Sequence, residues 1–162
     1  MNPEAALRAL VGESVEFVLV GGAAMALHGS AHLTRDLDFA YARSKQNADR
    51  LARAILPHHP RLRNASSAVP FRFDSETILR GSNFALSTDL GDLNFFAEVP
   101  GLGNYDAVCR ASLAMSINGL DCLVLSLAGL IRAKKAAGRP GDLYVLPELE
   151  ALEEMHRKMK LG

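Results

Sequence analysis

"FVLVGGAAMALHGSAHLTRDLDF", residues 17–39, is the stretch whose reading decides the fold. It begins inside "VEFVLV" (15–20), a short β-branched and aromatic run that is nearly all apolar. Such a run suits a strand covered on both faces. Gly21 and Gly22 break it, "AAMALHG" reads as a short helix ending at Gly29, and "DLDFAYA" (36–42) reads as a second strand. On that strand Asp36 and Asp38 stand at i and i+2, so both carboxylates point to one face, roughly 6–7 Å apart. Half-buried like charges raise each other's pKa and destabilise the fold. The pair is tolerable when both sides are wet, or when a cation sits between them. Hard oxygen ligands so arranged favour Mg²⁺ or Mn²⁺, which keep waters and take phosphate oxygens as further ligands. The glycine pair supplies the other half. Backbone amides at a helix start can hold an anion, and missing side chains let phosphate approach. Together they are the minimum hardware for phosphoryl or nucleotidyl transfer.

The rest of the chain reads as one α/β (α+β) domain over 1–162, a mixed sheet flanked by helices. Asn2-Pro3-Glu4 starts a helix that Gly12 stops. Ser44 caps a helix over 45–56, and 58–69 has no periodicity and reads as a loop. "FRF", "TILR" and "NFALST" read as short strands or hairpin arms, and "GDLNFFAEV" (91–99) as a longer one. On it Asp92, Asn94 and Phe96 share a face opposite Leu93 and Phe95. "PGLGNY" reads as a turn, followed by a helix over 105–111. Asn118-Gly119 joins two strand-like runs in a hairpin. Ser126 caps "LAGLIRAKKAAG", "RPGD" reads as a turn, and "LPELEALEEMHRKMK" as a final amphipathic helix.

Composition narrows the class. With 18 Lys and Arg against 18 Asp and Glu the formal net charge is zero, so no global attraction to nucleic acid or anionic membrane is built in. No apolar run approaches the ~18 residues that cross a membrane. "MNPEAALRALVG" has no basic n-region or long apolar stretch, so it does not read as a signal peptide, and a cytoplasmic location is expected. Cys109 and Cys122 lie in apolar-rich segments as small reduced hydrophobes, without zinc-ligand spacing.

Apolar strand, Gly-Gly, thirteen residues and Asp36-Leu37-Asp38 resemble the signature of the polymerase-β-like nucleotidyltransferase superfamily. Within it, "GGAAMALHGSAHLTRDLDF" and "LIRAKKAAGRPGD" (130–142) resemble small bacterial proteins grouped with AbiEii-type nucleotidyltransferase toxins. The resemblance spans roughly 15–150. It implies Mg²⁺-dependent transfer of NMP from an NTP to a hydroxyl or similar acceptor. RNA such as tRNA, a protein side chain or a small molecule could be that acceptor. It further implies a place in a toxin–antitoxin pair, with an antitoxin partner. It puts the metal on Asp36 and Asp38, the phosphates on Gly21 and Gly22, and the triphosphate near Lys134. A third carboxylate is expected from a later strand. Register against the turn in "TDLGDLNFFAEVPG" puts Asn94 there, which brings no charge and cannot act as a base. Asp92, two residues earlier on the same face, is the other candidate. A protein of the same fold, degenerate at Asn94, that binds a nucleotide or partner without turnover is the competing reading.

Further residues carry two readings each. Thr34 shares the parity of Asp36 and can face the site, and Ser30 is a loop hydroxyl near the phosphates. His28 and His32 either make ordinary hydrogen bonds or touch nucleotide. Arg35 pairs structurally or binds phosphate. Arg132, Lys134, Lys135 and Arg139 are a solvated helix end or a contact for triphosphate or RNA backbone. Asp142 caps the following segment or pairs with Arg139.

Overall fold

The computed structural model describes residues 2–66 and 68–161. Its helices are α1 (Pro3–Gly12), α2 (Gly21–Leu27), α3 (Lys45–Ile55), α4 (Ser75–Arg80), α5 (Tyr105–Arg110), α6 (Leu127–Ala137) and α7 (Pro140–Leu161). Its strands are β1 (Phe17–Val20), β2 (Asp36–Tyr41), β3 (Arg61–Leu62), β4 (Asn83–Thr88), β5 (Gly91–Phe96), β6 (Glu98–Val99), β7 (Gly103–Asn104), β8 (Ser112–Ile117) and β9 (Leu120–Leu125). Seven strands form one sheet in the order β3-β4-β5-β2-β1-β9-β8, and β6 and β7 form a small separate ribbon. The sheet is mixed: β1 runs antiparallel to β2 and parallel to β9, and β2 runs parallel to β5. This is the α+β architecture, a mixed sheet flanked by helices, that the sequence pattern predicts.

The central strands are buried because their neighbours lie on both sides. All four residues of β1 are buried. On β2 and β5 the two faces differ sharply. Leu37, Phe39, Tyr41, Leu93 and Phe95 are buried, and Phe39 stacks on Phe95 with centroids 5.3 Å apart. Phe73 in turn stacks on Phe95 at 5.8 Å. Burying this aromatic face adds to the backbone ladder that holds β2 against β5. The opposite parity of the same strands carries Asp36, Asp38, Asp92 and Asn94.

Asn47, fully buried in α3, joins three segments: its Oδ1 accepts from Glu16 N at 2.7 Å, and its Nδ2 donates to Glu16 O and Ala42 O. That satisfied amide ties α3 to the ends of β1 and β2.

Four local readings are corrected. "TILR" lies in α4 rather than a strand, because Asp74 caps the segment by accepting from Thr77 N at 2.9 Å. The stretch 58–69 contains β3, an edge strand paired with β4 through Arg61–Ser87 and Leu62–Leu86. β5 stops at Phe96, so 98–99 form β6 instead, and the turn that "PGLGNY" supplies at 100–102 joins β6 to β7. "RPGD" opens α7 rather than forming a turn. Gly138, at φ +64°, ends α6, and Pro140 presets the first position of the next helix. Asp142 reaches back to accept from Arg139 N at 3.2 Å, as the third residue of a capping box does.

Candidate active site

Register brings the acidic residues together. β1 pairs β2 with Val20 beside Asp38, and β5 pairs β2 with Asp92 beside Asp36 and Asn94 beside Asp38. Asn94, 8% exposed, lies between the two carboxylates. Its Nδ2 donates to Asp36 Oδ2 at 2.9 Å and to Asp38 Oδ1 at 2.8 Å. Two anionic oxygens therefore converge on a single point. The amide nitrogen that occupies it does part of what a cation would do there.

Asp92 is not brought to this point. Its carboxyl faces Arg63, with Oδ2 3.8 Å from Nη1. Among the described residues no group of three or more His, Cys, Asp or Glu is placed to hold a metal ion. Asp92 lies beside Asp36 in the β2–β5 register, one full side-chain repeat from Asn94, and Arg63 is its cationic neighbour.

Arg63 is the residue the sequence did not point to. It follows β3, where the chain has no periodic signal. Its backbone N donates to Ala85 O at 2.9 Å, its Nη1 to Leu86 O at 3.1 Å and its Nη2 to Asn94 Oδ1 at 2.5 Å. Only the pairing of β3 on the sheet edge carries it to a residue 31 positions later.

Burial raises the pKa of Asp38 above the ordinary 3.8, and the charge of Asp36 pushes the same way. The Asn94 hydrogen bond and the charges of Lys134 and Arg63 oppose that shift without reversing it. Thr34 Oγ1 donates within reach of Asp36 O at 3.0 Å and Asp36 Oδ1 at 3.2 Å, so Thr34 is at the site.

The glycines have a second reason to be glycines. Gly21 lies at φ +66°, and a Cβ there would stand 2.1 Å from Asp38 Oδ2. A Cβ on Gly22 would stand 2.7 Å from the Thr34 Cβ. The space a side chain at either glycine would need is taken by the side chains of Asp38 and Thr34. No side chain caps the start of α2 at Val20, which leaves that end open toward the site.

Lys134, 24% exposed in its side chain, reaches the site from α6 and pairs with buried Asp142 at 3.0 Å. Asp142 also accepts from Arg139 Nε at 2.7 Å. Burial works to raise the Asp142 pKa, but the hydrogen bonds from Arg139 and Lys134 overcome it and hold the carboxyl below its ordinary value. Ser30 is directed elsewhere: its Oγ donates to Glu148 Oε1 at 2.5 Å, and Ala31 N donates to Oε2 of the same carboxylate. His28 Nε2 bonds Leu125 O at 2.8 Å, an ordinary structural contact.

Two cavities meet at Asp38. One, of about 490 Å³, is lined by Gly22, Thr34, Asp36, Asp38, Lys134, His32 and Tyr144, among others. The second, of about 790 Å³, is lined by Gly21, Asp38, Lys134 and the apolar Val99, Leu102 and Leu130, among others. Asp38, Lys134, Arg139 and Asp142 belong to both walls. Tyr144, 82% exposed, lies at the rim of the first. It is a second residue the sequence did not mark.

No protein-family model matches the chain, and no curated protein sequence matches it. Solved structures do. The proposed nucleotidyltransferase TM1012 of Thermotoga maritima superposes with a TM-score of 0.53 at 14% identity, over 96% of this chain and 91% of that one. ANT(2'')-Ia, solved with adenylyl-2''-tobramycin, superposes with a TM-score of 0.51 at 12% identity, over 98% of this chain and 96% of that one. Strand order, the carboxylate-bearing strand pair and these likenesses agree: the chain has the nucleotidyltransferase fold.

Proposed function

We propose that this chain is a nucleotidyltransferase that moves an NMP from an NTP to an acceptor, with Mg²⁺ or Mn²⁺ on Asp36 and Asp38. The observation that carries this reading is the convergence of Asp36 Oδ2 and Asp38 Oδ1 on one point, with Asp38 itself on the wall that two cavities share. Group transfer needs two substrates at one centre, and the shared wall gives each a side. The donor set fits a hard divalent ion: two carboxylate oxygens, with the Asn94 carbonyl as a neutral third ligand if its amide turns. Such an ion, when bound, supplies charge neutralisation and polarises the phosphate.

The chain's own residues do the rest. Lys134, oriented by Asp142, places a fixed positive charge against the triphosphate. Thr34 orients Asp36, and Gly21 leaves Asp38 its room. Tyr144 offers an exposed ring on which a nucleobase can stack. Asn94 has no basic atom, so the acceptor's proton passes to a carboxylate or to water. The acceptor is RNA, a protein or a small molecule. With zero net charge, RNA contact would rest on the local cations Arg132, Lys135 and Arg139. Membership of the AbiEii-type group, with a toxin role and an antitoxin partner, rests on the two sequence motifs and is part of the same proposal.

Incubation with each labelled NTP, Mn²⁺ and a panel of acceptors tests it. Labelled product should form, and Asp36→Ala should abolish it and weaken Mg²⁺-dependent NTP binding at least about tenfold by calorimetry. Undiminished binding in the variant refutes the metal assignment. The bond from Asn94 to both carboxylates favours a second reading, a nucleotide-holding protein without turnover. In that case Asn94→Asp gains transferase activity that the unaltered chain lacks. Turnover by the unaltered chain refutes it.

A further inference from the structure

The orientation of the Asn94 amide is fixed by its partners. Its Oδ1 faces Arg63, which has donors and no acceptor, and its Nδ2 faces two carboxylate oxygens. Turning the amide over would set Nδ2 against the guanidinium and Oδ1 against the carboxylates. All three hydrogen bonds would be lost, and like would oppose like. Yet a divalent ion between Asp36 and Asp38 needs the acceptor side of that amide, or its departure. Arg63 is not free to yield easily. It is held by Leu86 O and by the backbone bond to Ala85 O, lies near Asp92, and is only 23% exposed in its side chain.

We propose that Arg63 is a positioning residue: by bonding Asn94 Oδ1 it turns the amide's donor face onto Asp36 and Asp38, and so sets a low affinity for divalent cations. An ion enters when the Arg63–Asn94 bond opens. The inference rests on the reading above that the Asp36–Asp38 pair takes a metal ion. It differs from simple charge repulsion, because a distant positive charge would act whether or not residue 94 has an amide.

A double-mutant cycle separates the two. Mn²⁺ is titrated by calorimetry into the unaltered chain, Arg63→Met, Asn94→Ala and the double variant. Arg63→Met keeps the packing of the side-chain stem and removes every donor. It should tighten Mn²⁺ about tenfold when Asn94 is present, on the scale of one hydrogen bond to a charged group. With Asn94→Ala the gain should fall to about twofold or less. Equal gains in both backgrounds, or no gain in either, overturn the lock. The unaltered chain gives an independent readout. Addition of Mg²⁺ should shift the Asn94 side-chain NH₂ resonances in a ¹H–¹⁵N spectrum. Mg²⁺ binding that leaves them unmoved overturns the proposal even where a variant fails to fold. If no form binds Mn²⁺, Asn94→Asp included, the metal reading falls as well. Binding without Arg63–Asn94 coupling removes the lock alone.

Discussion

At the scale of single residues, Asp38 shows a conflict between stability and chemistry. Burial disfavours its charge, and its pKa in the folded chain lies above 3.8. The ionised form therefore costs stability at every pH above that raised pKa, and the cost disappears as pH falls below the unfolded value. Asp38→Asn removes the charge and keeps the shape. It should raise Tm at pH 7 by about 2–4 °C, the shift expected for roughly 1 kcal/mol in a chain of this size. Thermal melts from pH 7 down to pH 3 should show the gain shrinking as the unaltered carboxyl becomes protonated. A fall in Tm at pH 7 would contradict it. The need for a carboxylate pair at 36 and 38 is legible in the sequence, since i and i+2 of a strand always share a face. The role of Gly21 is only half legible. Its φ of +66° suits a glycine at the junction of β1 and α2, but the contact of its missing Cβ with Asp38 depends on β1 lying beside β2.

At the scale of elements, the junction of α6 and α7 decides where Lys134 stands. Gly138 ends one helix, Pro140 starts the next, and Asp142 ties Arg139 and Lys134 across the joint. Its folded pKa lies below 3.8, so the carboxyl contributes stability above the unfolded pKa and loses it as pH falls through the lowered value. Asp142→Asn should cost about 2 kcal/mol or more at pH 7 by denaturant unfolding, because it leaves Lys134 with a weaker partner. The difference from the unaltered chain should narrow as pH falls below about 3.8. A constant difference across that range would count against the ion pair. "AAGRPGD" carries Gly, Pro and Asp at turn spacing, which reads as a turn from the sequence. One capping hydrogen bond and a proline at the first helical position make the same letters a helix start. "TILR" follows similar logic: a six-residue helix holds too few apolar positions to show a period, and its cap at Asp74 lies outside the segment.

At the scale of the whole molecule, the site exists because separate elements close around one strand pair. The smaller cavity takes walls from α2, β2, α6 and α7, and Tyr144 reaches its rim from α7. If that ring stacks on the base, Tyr144→Ala should weaken NTP binding about five- to tenfold, within the range for one base–aromatic contact. Because the ring is 82% exposed, the melting temperature should move by less than about 1 °C. Unchanged binding would leave the ring outside the site. The sequence by itself determined the strands around Gly21-Gly22 and the shared faces of Asp36 with Asp38 and of Asp92 with Asn94. These follow from local steric rules and a period of two, which act within a few residues. Only the tertiary structure decided that Asp92 turns to Arg63, that Asn94 bonds both carboxylates, and that Ser30 serves Glu148 rather than the site. Those outcomes depend on which strands become neighbours and in what register. The burial of Phe39, Phe73 and Phe95 on the opposite face helps fix that register, across distances no local pattern spans.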